Sequence, residues 1–506
     1  MQFCSILFDK TKRAKELSSL LDFYRDLNLD QIIDTIVSYK KEYDFTKFFY
    51  TPLDDMQTII YRQEIIKDLQ NDEFYLRVDE FCQEMLKIQR YQKLTKELDY
   101  DIYKNSWFLQ MSLVYINALE GLYNSLKSAN LHSKGFLLFH DFLGIYLQSD
   151  EIKSFQNDMR SLEKQLDSIM YDITIDGLTF KVKRYEGEEN YSQEIKKVFE
   201  KFEQNSTNET KSQFDKNRGM NHVNAKILEF VAKLYPKIFA KLREFCDIYE
   251  DFIDKTFQTF AHEVEFYISY LSYISKIKER FCFPQISDKN KSMRVENGFD
   301  LALAYSLVLE KKKVVANDYV LEKQERIMIV SGANQGGKST FSRAFGQINY
   351  LASLGLPVPA SEAKLFLIDR VFTHFEREEH IGNLHSKLQE DLVRIHKILE
   401  SATPKSLVIL NEIFSSTSLK DAIFLSKKIM EKIVELDLFC IWVTFIEELN
   451  SLNEKRVSMV SLIDINNIEN RTYKIIKKES DGLAYAKSIA KKYRLSSEQI
   501  LKRIGG

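Results

Sequence analysis

Residues 327–341, IMIVSGANQGGKSTF, leave the chain little freedom. The run IMIVS predicts a buried strand, and the residues from Lys338 onward predict a helix directly after a glycine-rich turn. Between them Gly332 to Ser339 satisfies GxxxxGK[ST]. Glycines let successive backbone N–H groups turn inward around an anion, and the N-terminus of the next helix adds favourable potential. Gly332, Asn334, Gly336, Gly337 and Thr340 are then the candidate cradle of a nucleotide's phosphates. Lys338 would reach the β- and γ-phosphates, and the Ser339 hydroxyl would hold Mg²⁺.

A second element follows about seventy residues on, LVILNEIFSSTS from Leu407, the kind of strand end at which phosphoryl-transfer sites place acidic and metal-binding groups. Four apolar residues predict a strand, and Asn411-Glu412 stands where a metal-and-water site would form. Glu412 can orient or deprotonate an attacking water, which makes it the candidate catalytic residue. Asn411 can offer a carbonyl oxygen to a metal-bound water, at the loss of one negative charge. With LFCIWVTF (438–445) these strands alternate with helical stretches past Phe283-Pro284. Residues 283–480 therefore read as an α/β domain with a mostly parallel sheet.

The remainder reads differently. Only 16 glycines and 6 prolines occur in 506 residues, and scarce helix breakers predict long helices. Residues 1–150 read as helix after helix, with Pro52, Gly121, Gly135 and Gly144 as the interruptions. From Ile152 the apolar positions 152, 155, 159, 162, 166 and 169 form a seam on one helical face. That spacing suits a coiled-coil rod and an ordinary packed helix alike. ITIDGLTFKV (173–182) then alternates with a period of two around Asp176-Gly177, a hairpin signal. Lys181, Lys183 and Arg184 fall on its second strand, as a solvated face or as phosphate contacts. The polar stretch 205–223 reads as a loop or exposed tip, and helix resumes near Asn224 as far as Arg280, with an irregularity at Pro236. The segments are thus 1–171, helical; 172–223, hairpin-bearing; 224–282, a returning helix; 283–480, α/β; and 481–506, terminal helices.

The formal net charge of −2 restricts any nucleic-acid contact to local basic patches. Cys4, Cys82, Cys246, Cys282 and Cys440 are scattered, which predicts reduced core thiols over a disulfide framework or zinc site. His262-Glu263 opens like HExxH, but Phe266 occupies the second histidine's place. The apolar stretch Phe136–Leu147 is interrupted by His140 and Asp141 and is too short to span a bilayer. No membrane partner and a cytoplasmic location are expected.

Taken together, these residues resemble the MutS family of DNA mismatch-repair ATPases. The family's TGPNMGGKST is matched by SGANQGGKST, its VPND by Val315-Ala316-Asn317-Asp318, and its GxxVPA by Gly355 to Ala360. Its DEIGRGTS is similar to Asn411–Ser418, with Asp421 following, and its signature serine falls on Ser386. Pro52-Leu53, Asp55, Ile59, Arg62 and Gln63-Glu64 resemble the start of the family's helical core. DGLAYAKSIAKKYRLSSEQILKRI resembles its terminal helices. The likeness runs over about residues 40–506 and is most specific over 315–445.

This resemblance implies a multidomain fold: all-α core and lever arms with a small β-containing clamp, plus a C-terminal α/β P-loop ATPase domain of the ABC type. It implies ATP and Mg²⁺ as cofactors, a homodimer in which Ser386 approaches the nucleotide of the opposite subunit, and duplex or branched DNA as partner. A MutL-like or nuclease partner and association with the nucleoid go with it. Segment 172–223 would be the clamp, so that Lys181, Lys183 and Arg184 become candidate contacts to the DNA backbone.

Three departures qualify the implied activity. Nothing like the family's N-terminal mismatch-reading domain precedes residue 40, so direct mismatch reading is not expected. Asn411 stands for the metal-site Asp, and Phe414 for the first Gly of GRGT. Phe445 follows Thr444 where the family has His. A carboxylate and an imidazole can each carry a few kcal/mol of transition-state stabilisation, so hydrolysis is expected to be slow. No appended nuclease domain is expected. Three readings follow: a DNA-stimulated ATPase that clamps DNA; a non-hydrolysing ATP-gated clamp or scaffold; and a chromosome-organising ABC-type ATPase. The last would require an LSGGQ signature before LVILNE, where none occurs.

Overall fold

The computed structural model describes residues 3–9, 22–38, 40, 43, 45–98, 100–176, 179–187, 222–376, 387–415, 417–446, 448–449, 454–463 and 471–479. The chain divides into two bodies. One comprises Asp72–Asn130 and Leu138–Ala261, the other Phe3–Asn71, Leu131–Leu137 and His262–Gly506.

The first body is largely helical. Among its helices are Asp72–Lys96, Asp101–Ser128, Asp150–Asp167, His222–Leu234 and Pro236–Ile248. Helix Asp150–Asp167 starts where Ser149 accepts a hydrogen bond from the Ile152 amide, with Asp150 and Glu151 in the first turn. Both features favour a helix N-terminus. Its seam is an ordinary packed face. Ile152, Phe155, Met159 and Leu162 are buried, and Phe155 stacks on Phe245 and Phe252 at 5.6 and 5.4 Å between ring centroids. Pro236 occupies the first turn of its helix, so the expected irregularity is a break between two helices. Strands β1 (Tyr171–Asp176) and β2 (Thr179–Arg184) pair antiparallel, with Asp176 opposite Thr179. Asp176 is thus paired in the strand, where the Asp176-Gly177 pattern suggests a turn residue. Residues 177 and 178, and most of the expected polar tip, lie outside the described residues.

In the second body the described residues form two sheets. The larger has the order β12-β11-β6-β10-β9-β8, with β6 Ile327–Ser331, β8 Val371–Phe375, β9 Leu407–Asn411, β10 Phe439–Val443, β11 Arg456–Ile463 and β12 Arg471–Lys477. Strands β11, β6, β10, β9 and β8 run parallel, and β12 joins the β11 edge antiparallel. Every residue of β6, β9 and β10 is buried, as apolar strands covered on both faces must be. The mostly parallel sheet expected from the sequence is therefore present. A smaller sheet, β3-β7-β4-β5, was not anticipated. It uses β3 Gln285–Ser287, β4 Met293–Gly298, β5 Asn317–Leu321 and β7 Glu362–Phe366. These short strands bury alternate residues, a weak signal in isolation.

The N-terminal expectation of helix after helix fails at its start. Residues 3–9 are non-helical, yet Ile6, Leu7 and Phe8 are buried. Glu263 supplies the missing backbone partner there, accepting from the Ile6 amide at 3.0 Å and the Ser5 hydroxyl at 2.7 Å. Of the cysteines, Cys82 and Cys440 are buried thiols as expected, whereas Cys4 is exposed. Among the described residues no helix is long and apolar enough to cross a membrane.

Candidate functional site

The site forms at the C-terminal ends of β6 and β9, which flank β10 in the large sheet. β6 ends at Ser331, and the loop from Gly332 to Gly337 leads into helix Lys338–Ser353. The loop needs glycine for two reasons. Gly332 and Gly337 have φ of +120° and +88°, values that favour a residue without Cβ. At Gly336 a Cβ would lie 2.3 Å from the Ser461 hydroxyl and 2.9 Å from the Ala333 carbonyl oxygen. Backbone thus closes around the cradle with no space for a side chain.

Lys338 is buried, and its Nζ donates to the carbonyls of Gly332 and Ala333, both at 3.1 Å. Glu412 Oε1 lies 3.7 Å from the same nitrogen, and the Phe445 ring centroid 4.4 Å away. Burial pulls the Lys338 pKa below the ordinary lysine value, and the Glu412 charge opposes that shift. The Ser339 hydroxyl donates to Asn411 Oδ1 at 2.9 Å. Residues 72 positions apart thus bring two oxygen atoms together, the donor chemistry a small hard cation prefers. Glu412 itself takes φ +54° and Phe414 +64°. Such conformations cost roughly 1–3 kcal/mol each in non-glycine residues and persist where the surroundings impose them. The Glu412 amide is held by the Val443 carbonyl at 2.9 Å, and Phe414 is buried in the core beneath the sheet.

A cleft of about 540 Å³ opens at the loop, lined by Gly337, Lys338, Ser339, Thr340 and Glu412 among others. Leu303, Leu307, Val315, Phe341 and Tyr473 add apolar surface to its lining, with Lys312 and Lys313. Its size and mixed lining suit a small organic anion with a planar apolar part. The glycine cradle, the buried ammonium and the paired Ser339–Asn411 oxygens fit a nucleoside triphosphate with a divalent cation.

The structure brings Gly332, Gly336, Gly337, Lys338, Ser339, Thr340, Asn411 and Glu412 into one neighbourhood, and Asn334 lies in the same loop. Ser386 lies outside the described residues. Lys181, Lys183 and Arg184 lie on β2 of the other body, all exposed. Lys181 and Lys183 share one strand face, since alternate residues face together. Arg184 belongs to the other face, donating to the Leu234 carbonyl with its guanidinium 4.9 Å from the Tyr235 ring. Part of its hydrogen-bonding capacity is spent within the protein.

Sequence reading missed Ser461, on β11, whose buried hydroxyl donates to the Gly336 carbonyl at 2.8 Å. No local pattern marks it, because only the sheet order brings β11 beside β6. Ser461→Ala removes that bond, a net loss of about 1 kcal/mol. ATP affinity of this variant, measured by calorimetric titration, is expected to fall about fivefold; unchanged affinity would make the contact incidental. Asn317 buttresses the same corner, donating to the Tyr473 carbonyl at 3.2 Å and accepting from the Ile475 amide at 2.8 Å.

Residues 328–500 match the family model MutS domain V. The DNA mismatch repair protein MutS of Brevibacillus brevis is 32% identical over 157 residues, covering 31% of this chain and 18% of that protein. The DNA mismatch repair protein MutS of Ruminiclostridium cellulolyticum is 31% identical over 182 residues, 35% of this chain and 20% of that protein. The likeness therefore spans only about a fifth of either relative.

Proposed function

We propose, from the match of residues 328–500 to MutS domain V and the likeness to two MutS proteins, that the chain is a MutS-family, DNA-stimulated ATPase that couples ATP binding and hydrolysis to clamping on DNA. One observation carries this reading: Ser339 Oγ lies 2.9 Å from Asn411 Oδ1 while Lys338 Nζ lies 3.7 Å from Glu412. A phosphate cradle, a hard-cation donor pair and a candidate base thus meet at one cleft.

In this reading Gly332, Asn334, Gly336, Gly337 and Thr340 contribute the cradle, and Lys338 exchanges its carbonyl partners for phosphate oxygens. Ser339 and Asn411 would hold Mg²⁺, directly or through water, and the cation when bound would supply positive charge beside the phosphates. Glu412 orients the attacking water and accepts its proton. Asn411 brings no negative charge to the metal, and the Phe445 ring beside Lys338 offers no hydrogen bond, so turnover is slow. Lys181, Lys183 and Arg184 contact DNA phosphates. The working unit is a homodimer with Ser386 completing the opposite subunit's site, read by a MutL-like or nuclease partner.

The test is ATP binding and steady-state turnover with and without DNA, for the parent chain and for Lys338→Ala. A charge-assisted hydrogen bond contributes about 1.5–3 kcal/mol, so the variant's Kd for ATP is expected to rise about 10- to 100-fold. Equal ATP affinity in both proteins would overturn the assignment of the loop. Absence of binding to duplex, branched or mismatched DNA at low salt would overturn the DNA half. Tight ATP binding without turnover would establish the non-hydrolysing clamp instead.

A further inference from the structure

Three side chains of helix Lys387–Ser401 tie it to strand β8 and to Glu376 just after it, at spacings that keep one helical face toward the strand. Arg394 donates to the Thr373 carbonyl at 3.0 Å, Asp391 meets His374 Nε2 at 3.1 Å, and Lys387 pairs with Glu376. The third tie differs from the other two. Glu376 Oε1, which receives Lys387, also accepts the Ser415 hydroxyl at 2.8 Å. Ser415 belongs to the turn that leaves β9 through Glu412, and Phe375, next to Glu376, pairs with Asn411 in the sheet.

We infer that Glu376 is a positioning residue for Glu412: one carboxylate oxygen links the turn that presents Glu412 to the first residue of helix Lys387–Ser401. This inference rests on the reading of Glu412 as the hydrolytic base. The turn needs such a tether. Glu412 and Phe414 both adopt left-handed backbone, which relaxes unless held. On the inner side Ile413 and Phe414 are anchored by the core, together with Ile395 and Ile398 of the same helix. On the outer side the Glu376–Ser415 bond is a side-chain contact that supplements the Thr417 amide to Phe414 carbonyl bond at 3.4 Å. Lys387 and Ser415 also hold the Glu376 carboxyl below the usual glutamate range, so it is an anion when it accepts both. A shift of helix Lys387–Ser401 along β8 would therefore move Ser415, and with it the direction in which Glu412 points.

The experiment compares the whole parent chain with Glu376→Ala, Ser415→Ala, the double variant and Glu376→Gln, which retains an acceptor for Ser415 but loses the ion pair. Amide hydrogen exchange is read over 412–417, with β9 residues 407–411 as internal reference. Exchange at 412–417 is expected to rise about tenfold in both alanine variants, no further in the double variant, and less in Glu376→Gln. In the same proteins kcat for ATP is expected to fall about tenfold with KM nearly unchanged, because a misplaced base loses turnover without losing binding. Unchanged exchange, or an equal rise across 407–417, overturns the tether. Altered exchange with kcat intact overturns the positioning role. A parent chain that does not hydrolyse ATP would count against the ATPase reading alone, and the exchange data would still decide the tether.

Discussion

Glu412→Ala is expected to lower ATP turnover by about 10²–10⁴-fold, the range a positioned general base contributes. The carboxylate lines the cleft and stands 3.7 Å from Lys338 Nζ. Its backbone is fixed by the Val443 carbonyl, so the loss reflects the missing group more than a displaced turn. Binding should move the other way. Removing an anion from beside the proposed triphosphate site would relieve repulsion, so ATP affinity is expected to equal or exceed that of the parent chain. Single-turnover hydrolysis and equilibrium binding, measured side by side, separate the two effects. Turnover within threefold of the parent would remove Glu412 from the mechanism.

The second large effect is on stability. Arg62 is fully buried, with Nε donating to the Leu7 carbonyl at 3.1 Å and Nη1 to the Leu354 carbonyl at 2.9 Å. Its guanidinium lies 5.1 and 5.4 Å from the rings of Phe8 and Phe266. Leu354 caps the C-terminus of helix Lys338–Ser353, so the cation sits at the negative end of the helix that carries Lys338 and Ser339 at its start. Arg62→Ala leaves two carbonyls without their donor and opens a cavity between aromatic rings. A cost of about 3–5 kcal/mol is expected, reduced by removing a buried charge. Arg62→Met keeps most of the volume and should cost less. Urea unfolding midpoints of the three proteins check the order, and a loss below about 1 kcal/mol in Arg62→Ala would refute it. With the same anchor gone, ATP affinity should weaken as the far end of the helix loosens.

Much of the site was legible because its parts are local. IMIVS needs both faces covered, and GANQGGKS calls for a tight glycine-rich turn, so strand, loop and helix follow from fifteen adjacent residues. LVILNE placed Asn411 and Glu412 at a strand end for the same reason. What joins the two, the Ser339–Asn411 bond across 72 positions, depends on strand order. So do Ser461 beneath Gly336 and Glu376 beside Ser415. Polar residues of this kind carry no periodicity of their own, and their partners are distant in the chain. The seam from Ile152 shows the same limit, since its spacing fits a rod or a packed face, and only Phe245 and Phe252 lying against Phe155 decide between them.

The sequence by itself determined the glycine-rich turn, the buried parallel strands and the polar groups that stand at their ends, because backbone sterics and hydrophobic burial act over a few residues. Only the tertiary structure decided which strands are neighbours, that residues 3–9 are a non-helical segment with Ile6, Leu7 and Phe8 buried and held by Arg62 and Glu263, and that Arg184 turns toward Leu234. Those outcomes rest on hydrogen bonds between residues tens to hundreds of positions apart, whose formation requires the fold to exist first.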